Sequence, residues 1–166
     1  MLYKELRPTI KTGDLFFTAW NALFSRLIRS ATRSKVSHTG IFIWLGKRLF
    51  IVESVEGVGV RIMPASQYIK SMNGKIWTGR IKNPKYTEEE ILDRVFSDDD
   101  TLPKIGEEYD MAGALLSLFW DTKSKQVFCS EYVKKIEGIS FVAKESGMTP
   151  VDVAEKTSGL TIITYK

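Results

Sequence analysis

The chain has 166 residues, 43% of them hydrophobic and 27% charged, proportions that exclude disordered and fibrous classes and fit one domain over 1–166. Twenty-four Lys and Arg against twenty Asp and Glu give a formal charge of +4. That excess is mild, and a dedicated nucleic-acid binder concentrates more charge on one face, so no nucleic-acid partner is expected.

Met1 to Thr12 carries charge throughout and has no apolar signal-peptide core. Gly13-Asp14 marks a turn, and Leu15 to Phe17 reads as a short strand. Trp20, Leu23, Phe24, Leu27 and Ile28 then recur at i, i+3, i+4, i+7 and i+8, the spacing of one helix face. Arg26, Arg29, Arg33 and Lys35 lie on or just past its polar side. Two readings of this segment stay open: a core-facing helix with a solvated basic face, or a helix lying on an anionic membrane surface.

Thr39 to Leu45 and Arg48 to Val55 read as a β-hairpin around Gly46-Lys47. Val58 to Met63 is a further strand closed by Pro64, Ala65 to Met72 a short helix, and Lys75 to Ile81 another strand. Thr87-Glu88-Glu89-Glu90 is a capping box that opens a helix from Glu88 to Phe96. The acidic run Asp98 to Asp100 follows as a solvated loop. Asp110 caps an apolar helix, Met111 to Trp120, whose ten residues are too short to span a bilayer. A helix from Cys129 to Gly138 and a third, opened by Thr149-Pro150 and ending near Ser158-Gly159, complete the chain. The fold class is α+β, an antiparallel sheet flanked by helices, and the expected location is cytoplasmic.

There is one cysteine, Cys129, and one histidine, His38. One cysteine excludes an intramolecular disulfide, and a four-ligand Cys/His zinc site is arithmetically impossible within the chain. Any imidazole chemistry must use His38, and any thiol chemistry Cys129. In the hairpin, paired residues have a constant number sum. A turn at Leu45-Gly46 sets His38 directly opposite Glu53; a turn at Gly46-Lys47 sets the two diagonally on one face; a three-residue turn separates them onto opposite faces. A carboxylate beside an imidazole fixes its tautomer and stabilises the imidazolium. Cys129 opens a helix, where unpaired N–H groups and the positive dipole end favour thiolate. Those N–H groups, with Ser130 next in line, are natural oxyanion donors. Against this stand the plain readings of a buried cysteine and a structural histidine.

Gly13-Asp14-Leu15, Ser37-His38-Thr39-Gly40-Ile41-Phe42-Ile43, Glu53, Gly59-Val60-Arg61, Gly106-Glu107-Glu108-Tyr109-Asp110, Phe128-Cys129-Ser130-Glu131-Tyr132-Val133 and Thr149-Pro150-Val151-Asp152 occur in that order. The series resembles the YiiX/YebB-like group of circularly permuted NlpC-type papain-like enzymes, whose superfamily includes lecithin:retinol acyltransferase. The resemblance covers about Lys11 to Ala154. It implies a permuted papain-like fold, with Cys129 as nucleophile, His38 as general base, Glu53 as third polar residue and Tyr109 near the oxyanion site. Asp14 is read as structural.

The expected activity is acyl transfer through a thioester acyl-enzyme, with hydrolysis of an amide such as a peptide or peptidoglycan crosslink, and with no metal or cofactor. Two alternatives stand beside it. One is a lipid-directed acyl hydrolase or acyltransferase docked on an anionic membrane through Arg26, Arg29 and Arg33. The other is a binding or virion-associated module that keeps the fold without turnover.

Overall fold

The structure, a computed structural model, describes residues 1–21, 25–26, 29–30, 34–55, 58–106, 129–138 and 150–165. Its strands are β1 (Leu15–Trp20), β2 (His38–Leu45), β3 (Arg48–Val55), β4 (Gly59–Pro64), β5 (Gly74–Gly79) and β6 (Thr161–Ile163). Its helices are α1 (Tyr3–Leu6), α2 (Ala65–Ser71), α3 (Glu88–Val95), α4 (Cys129–Glu137) and α5 (Pro150–Glu155), with a 3-10 turn at Arg7–Thr9. The strands form one antiparallel sheet in the order β4-β3-β2-β1-β5-β6.

Strand alternation divides the apolar residues between two layers. Leu15, Phe17, Ile41, Ile43, Val52 and Val60 meet Tyr132, Val133 and Ile136 of α4 on one face. Phe16, Phe42, Leu49, Ile51 and Ile76 meet Tyr3, Leu6, Tyr68 and Ile69 of α1 and α2 on the other. Burial on both faces is why β1 and β2 read as near-continuous apolar runs rather than alternating ones. Each large side chain so enclosed contributes about 1.5–3 kcal/mol. In α4 the buried positions Cys129, Tyr132, Val133 and Ile136 fall at i, i+3, i+4 and i+7, one stripe on one face.

The hairpin turns at Gly46-Lys47, and Ile41 pairs with Val52, the second of the two same-face registers. The capping box opens α3 as expected, with Thr87 accepting from Glu90 N at 3.2 Å and Glu90 returning the contact to Thr87 N at 2.7 Å. Asp14 is a fastening residue: it accepts from Lys11 N and forms a two-pronged pair with Arg80 at 2.6 and 2.7 Å.

Trp20 departs from expectation. It ends β1 and pairs with Gly74 instead of opening a helix. The β-forming run Phe16-Phe17-Thr18 continues into it because β5 supplies a full partner strand. Ser25, Arg26, Arg29 and Ser30 are helical, so the helix starts later. Leu23, Phe24, Leu27, Ile28 and Arg33 lie outside the described residues, as do Tyr109, Asp110 and the expected helix Met111 to Trp120. Two short elements carried no periodic signal: α1, and β6, which is tied to the first residues by Tyr3 N→Thr164 O at 2.8 Å.

Candidate active site

The diagonal register puts His38, the first residue of β2, and Glu53, near the end of β3, on one face of the sheet. His38 Nε2 and Glu53 Oε2 are 2.7 Å apart. Phe16 packs against the imidazole with ring centroids 6.1 Å apart. The intervening Gly40 makes this possible, since a Cβ there would stand 2.5 Å from the Phe16 ring and 2.5 Å from Val52 O. The glycine of Ser37-His38-Thr39-Gly40 is thus a packing requirement for the histidine's wall.

Glu53 is 1% exposed, and a lone carboxylate there would be driven neutral. Its second oxygen is held by Arg61 of β4, directly opposite it in the sheet, with Nε at 2.9 Å and Nη2 at 2.7 Å. Burial alone would raise the Glu53 pKa; His38 and Arg61 overcome that and hold it below the ordinary 4.5. Arg61 is the residue whose part in the site sequence reasoning missed. Its signal was present: Glu53 and Arg61 are charges set among the apolar residues of their strands.

Cys129 is buried at the head of α4. Cys129 is among the groups whose charge and hydrogen bonding raise the His38 pKa, so the thiol sits beside the imidazole. With Nε2 turned to Glu53, Nδ1 is the ring nitrogen left available. Burial pulls the His38 pKa down, but the charge and hydrogen bond of Cys129, then those of Glu53, outweigh it and raise it to about 10. The imidazolium is therefore the favoured form at neutral pH. Ser130 is buried as the second residue of α4. Beneath the pair, Tyr68 of α2 packs on Phe16 with centroids 5.2 Å apart. Burial, then the Glu53 charge, keeps the Tyr68 phenol neutral, well above its ordinary pKa of 10.

The structure thus brings Cys129, His38 and Glu53 together, and adds Arg61. Tyr109 lies outside the described residues. Of the basic residues assigned to a membrane face, Arg26 is exposed while Arg29 is half-buried and donates to the carbonyl oxygens of Ser25 and Trp20. Among the described residues, no group of three or more His, Cys, Asp or Glu could hold a metal ion, and no helix is long and apolar enough to cross a membrane.

The fold has a solved counterpart in the crystal structure of the metalloprotein yiiX from Escherichia coli O157:H7, with a TM-score of 0.63. The two share 19% sequence identity over 94% of this chain and 97% of that one, which makes the likeness one of fold. A search of curated protein sequences gives no match. Residues 9–146 match the family model described as permuted papain-like amidase enzyme, YaeF/YiiX, C92 family. The span contains His38, Glu53, Arg61 and Cys129, and with it the chain belongs to the permuted papain-like amidase family YaeF/YiiX, C92.

Proposed function

We propose that this chain is a cysteine-dependent acyl hydrolase of the amidase type, in which Cys129 is the nucleophile, His38 the proton carrier and Glu53 the residue that orients the imidazole. One observation carries the reading: the sole cysteine opens a helix against the sole histidine, whose other face is held 2.7 Å from a buried carboxylate. In the first step Cys129 passes its proton to His38, the Sγ lone pair forms a bond to the acyl carbon, and the carbonyl π electrons move onto oxygen. Backbone N–H groups at the head of α4, with that of Ser130 next to the thiol, stabilise the oxyanion. On collapse the carbon–nitrogen bond breaks, and the departing amine takes the proton held by His38. Water, deprotonated by His38, then attacks the thioester and releases the acid and the thiol. Arg61 keeps Glu53 ionised throughout, so the ring stays oriented without the carboxylate taking its proton.

The test is the rate of Cys129 alkylation against pH, followed by intact mass, in wild type and in His38→Ala. With one cysteine in the chain, the signal has one source. Labelling that persists well below the free-thiol pKa of about 8.5 and is lost in His38→Ala is the expected result. An ordinary thiol profile, unchanged by the substitution, overturns the reading and leaves the non-catalytic module in its place.

A further inference from the structure

The strand ends that carry His38 also carry a second, strongly basic pocket. Here β1 ends while β2 and β5 begin: Thr18 pairs with His38, and Trp20 with Gly74. A cavity of about 640 Å³ opens there, with Asn21, Arg29, Lys35, Asn73, Lys75 and Trp77 in its wall. Its floor is backbone. A Cβ on Gly74 would stand 2.1 Å from Ala19 O, so only glycine lets β5 start this close to β1. The rims are fastened by Asn21 N→Asn73 O at 3.1 Å and Asn21 Nδ2→Asn73 Oδ1 at 3.2 Å.

The charge of this wall is one-sided. Arg29, Lys35 and Lys75 are cations, and no carboxylate stands among the described residues that line the cavity. Lys35 and Lys75 are exposed and form no ion pair among the described residues. The cavity around Lys82, Lys85 and Lys156 differs, because Glu137 and Glu155 line it too. Three cations along one wall, with no carboxylate beside them among the described residues, favour an anion there. A carboxylate offsets one charge; a phosphate offers up to two, with more acceptor oxygens for the ammonium and guanidinium donors. Trp77, half-buried in the same wall, provides an apolar surface for the carbon atoms next to such a group.

We propose that this pocket binds a phosphate group, and that the molecule bearing it is the acyl substrate whose carbonyl reaches Cys129. The second half of the statement rests on the hydrolase reading above; the first half does not. Lys35 lies three residues before His38, and Ala19 follows the strand partner of His38, so anchor and reacting groups share one strand end.

Calorimetric titration with glycerol 3-phosphate tests the pocket. Wild type is expected to bind saturably, and Cys129→Ala equally well. The double variant Lys35→Gln with Lys75→Gln is expected to bind at least about tenfold more weakly, since each loses a charge-assisted hydrogen bond. Both side chains are exposed, and thermal unfolding confirms that the double variant folds. Lys47→Gln with Lys70→Gln removes the same charge at exposed positions elsewhere and should bind like wild type. Equal weakening in that control, or undiminished binding in the pocket variant, overturns the proposal. Co-sedimentation with phosphatidylglycerol vesicles, against phosphatidylcholine vesicles, separates the sources of the phosphate. Binding to phosphatidylglycerol alone that requires Lys35 and Lys75 supports the pocket and assigns the phosphate to a lipid headgroup. Failure with both probes overturns it. The alkylation profile of Cys129 reads the hydrolase proposal independently: a paired thiol with no phosphate binding sinks the pocket alone. Phosphate binding with an ordinary thiol keeps the anion site and removes its claim to a substrate.

Discussion

The two ends of α4 bury titratable groups under opposite conditions. At the first residue, Cys129 meets His38, which meets Glu53, which meets Arg61, and every charge has an opposite neighbour. At the last residue, Glu137 is 2% exposed, and its Oε1 has no hydrogen-bond partner among the described residues. Its charged neighbours are Asp14, of the same sign, and Arg94, which donates to the carbonyl oxygens of Ile136 and Lys135 instead. Burial first, then Asp14, raises the Glu137 pKa to about 8 against the partial relief from Arg94. Glu53 is buried as deeply and is shifted the other way. Depth of burial therefore does not set the sign; the partner does.

The largest expected effect tests the unpartnered end. A carboxyl with its folded pKa raised stabilises fully below its unfolded value, 4.5, and loses that contribution as pH rises through about 8. At 1.36 kcal/mol per unit, wild type should lose up to about 5 kcal/mol from Glu137 across that window. Glu137→Gln carries no proton to lose and should flatten the slope, most visibly in urea unfolding at pH 9. Parallel slopes in the two proteins would mean that Glu137 finds a partner in solution.

At the partnered end the signs reverse. Glu53, with its pKa lowered, stabilises above 4.5 and loses that contribution on acidification. His38, raised to about 10, stabilises fully below 6.5 and loses its contribution as pH rises through 10. Both contributions are complete between about pH 5 and 6. Glu53→Ala should cost about 3 kcal/mol there, because it leaves two cations facing a vacated carboxylate site. It should also slow Cys129 alkylation below pH 7, which a purely structural carboxylate would not do. Arg61→Met should cost less, about 1–2 kcal/mol, since His38 remains to offset Glu53 and Arg61 itself is 36% exposed. Its alkylation profile should shift in the same direction as that of Glu53→Ala and by less.

The partnered end was more legible in the sequence than the other. The hairpin around Gly46-Lys47 was legible, and two of its three possible turns place His38 and Glu53 on one face; the structure selects the diagonal one. Arg61 was legible as a residue but not as a partner, because the β3–β4 connection through Glu56-Gly57-Val58 does not specify a register as a two-residue turn does. The meeting of Cys129 with His38 joins a helix to a strand far away in the chain, and no local pattern encodes it. The family resemblance supplied that pairing. Trp20 was misassigned because an i, i+3, i+4 pattern can begin inside a strand when the preceding residues are also apolar. Glu137 passed unremarked as a polar residue before the helix-ending Gly138; it is buried against residues distant in the chain, Gly13 among them, and no sequence window contains that contact.

The smallest expected effect is the most searching, because it asks whether the unpartnered end is truly so. Tyr132 is fully buried five residues before Glu137, and its hydroxyl has no hydrogen-bond partner among the described residues. Burial, then the charge of Glu137, raises its pKa, so it stays a neutral phenol. Nothing among the described residues replaces the hydration that this hydroxyl gives up on folding. Tyr132→Phe keeps the ring that fills the layer under β2 and removes only the orphan oxygen. It should be neutral or stabilising by up to about 1 kcal/mol, equally at pH 6 and pH 9. A loss of about 1 kcal/mol or more, growing above pH 8 as Glu137 ionises, would show the phenol donating to the carboxylate. Glu137 would then be a partnered group like Glu53, and the contrast between the ends of α4 would reduce to a difference in partner: a cation at the head, a neutral hydroxyl at the tail.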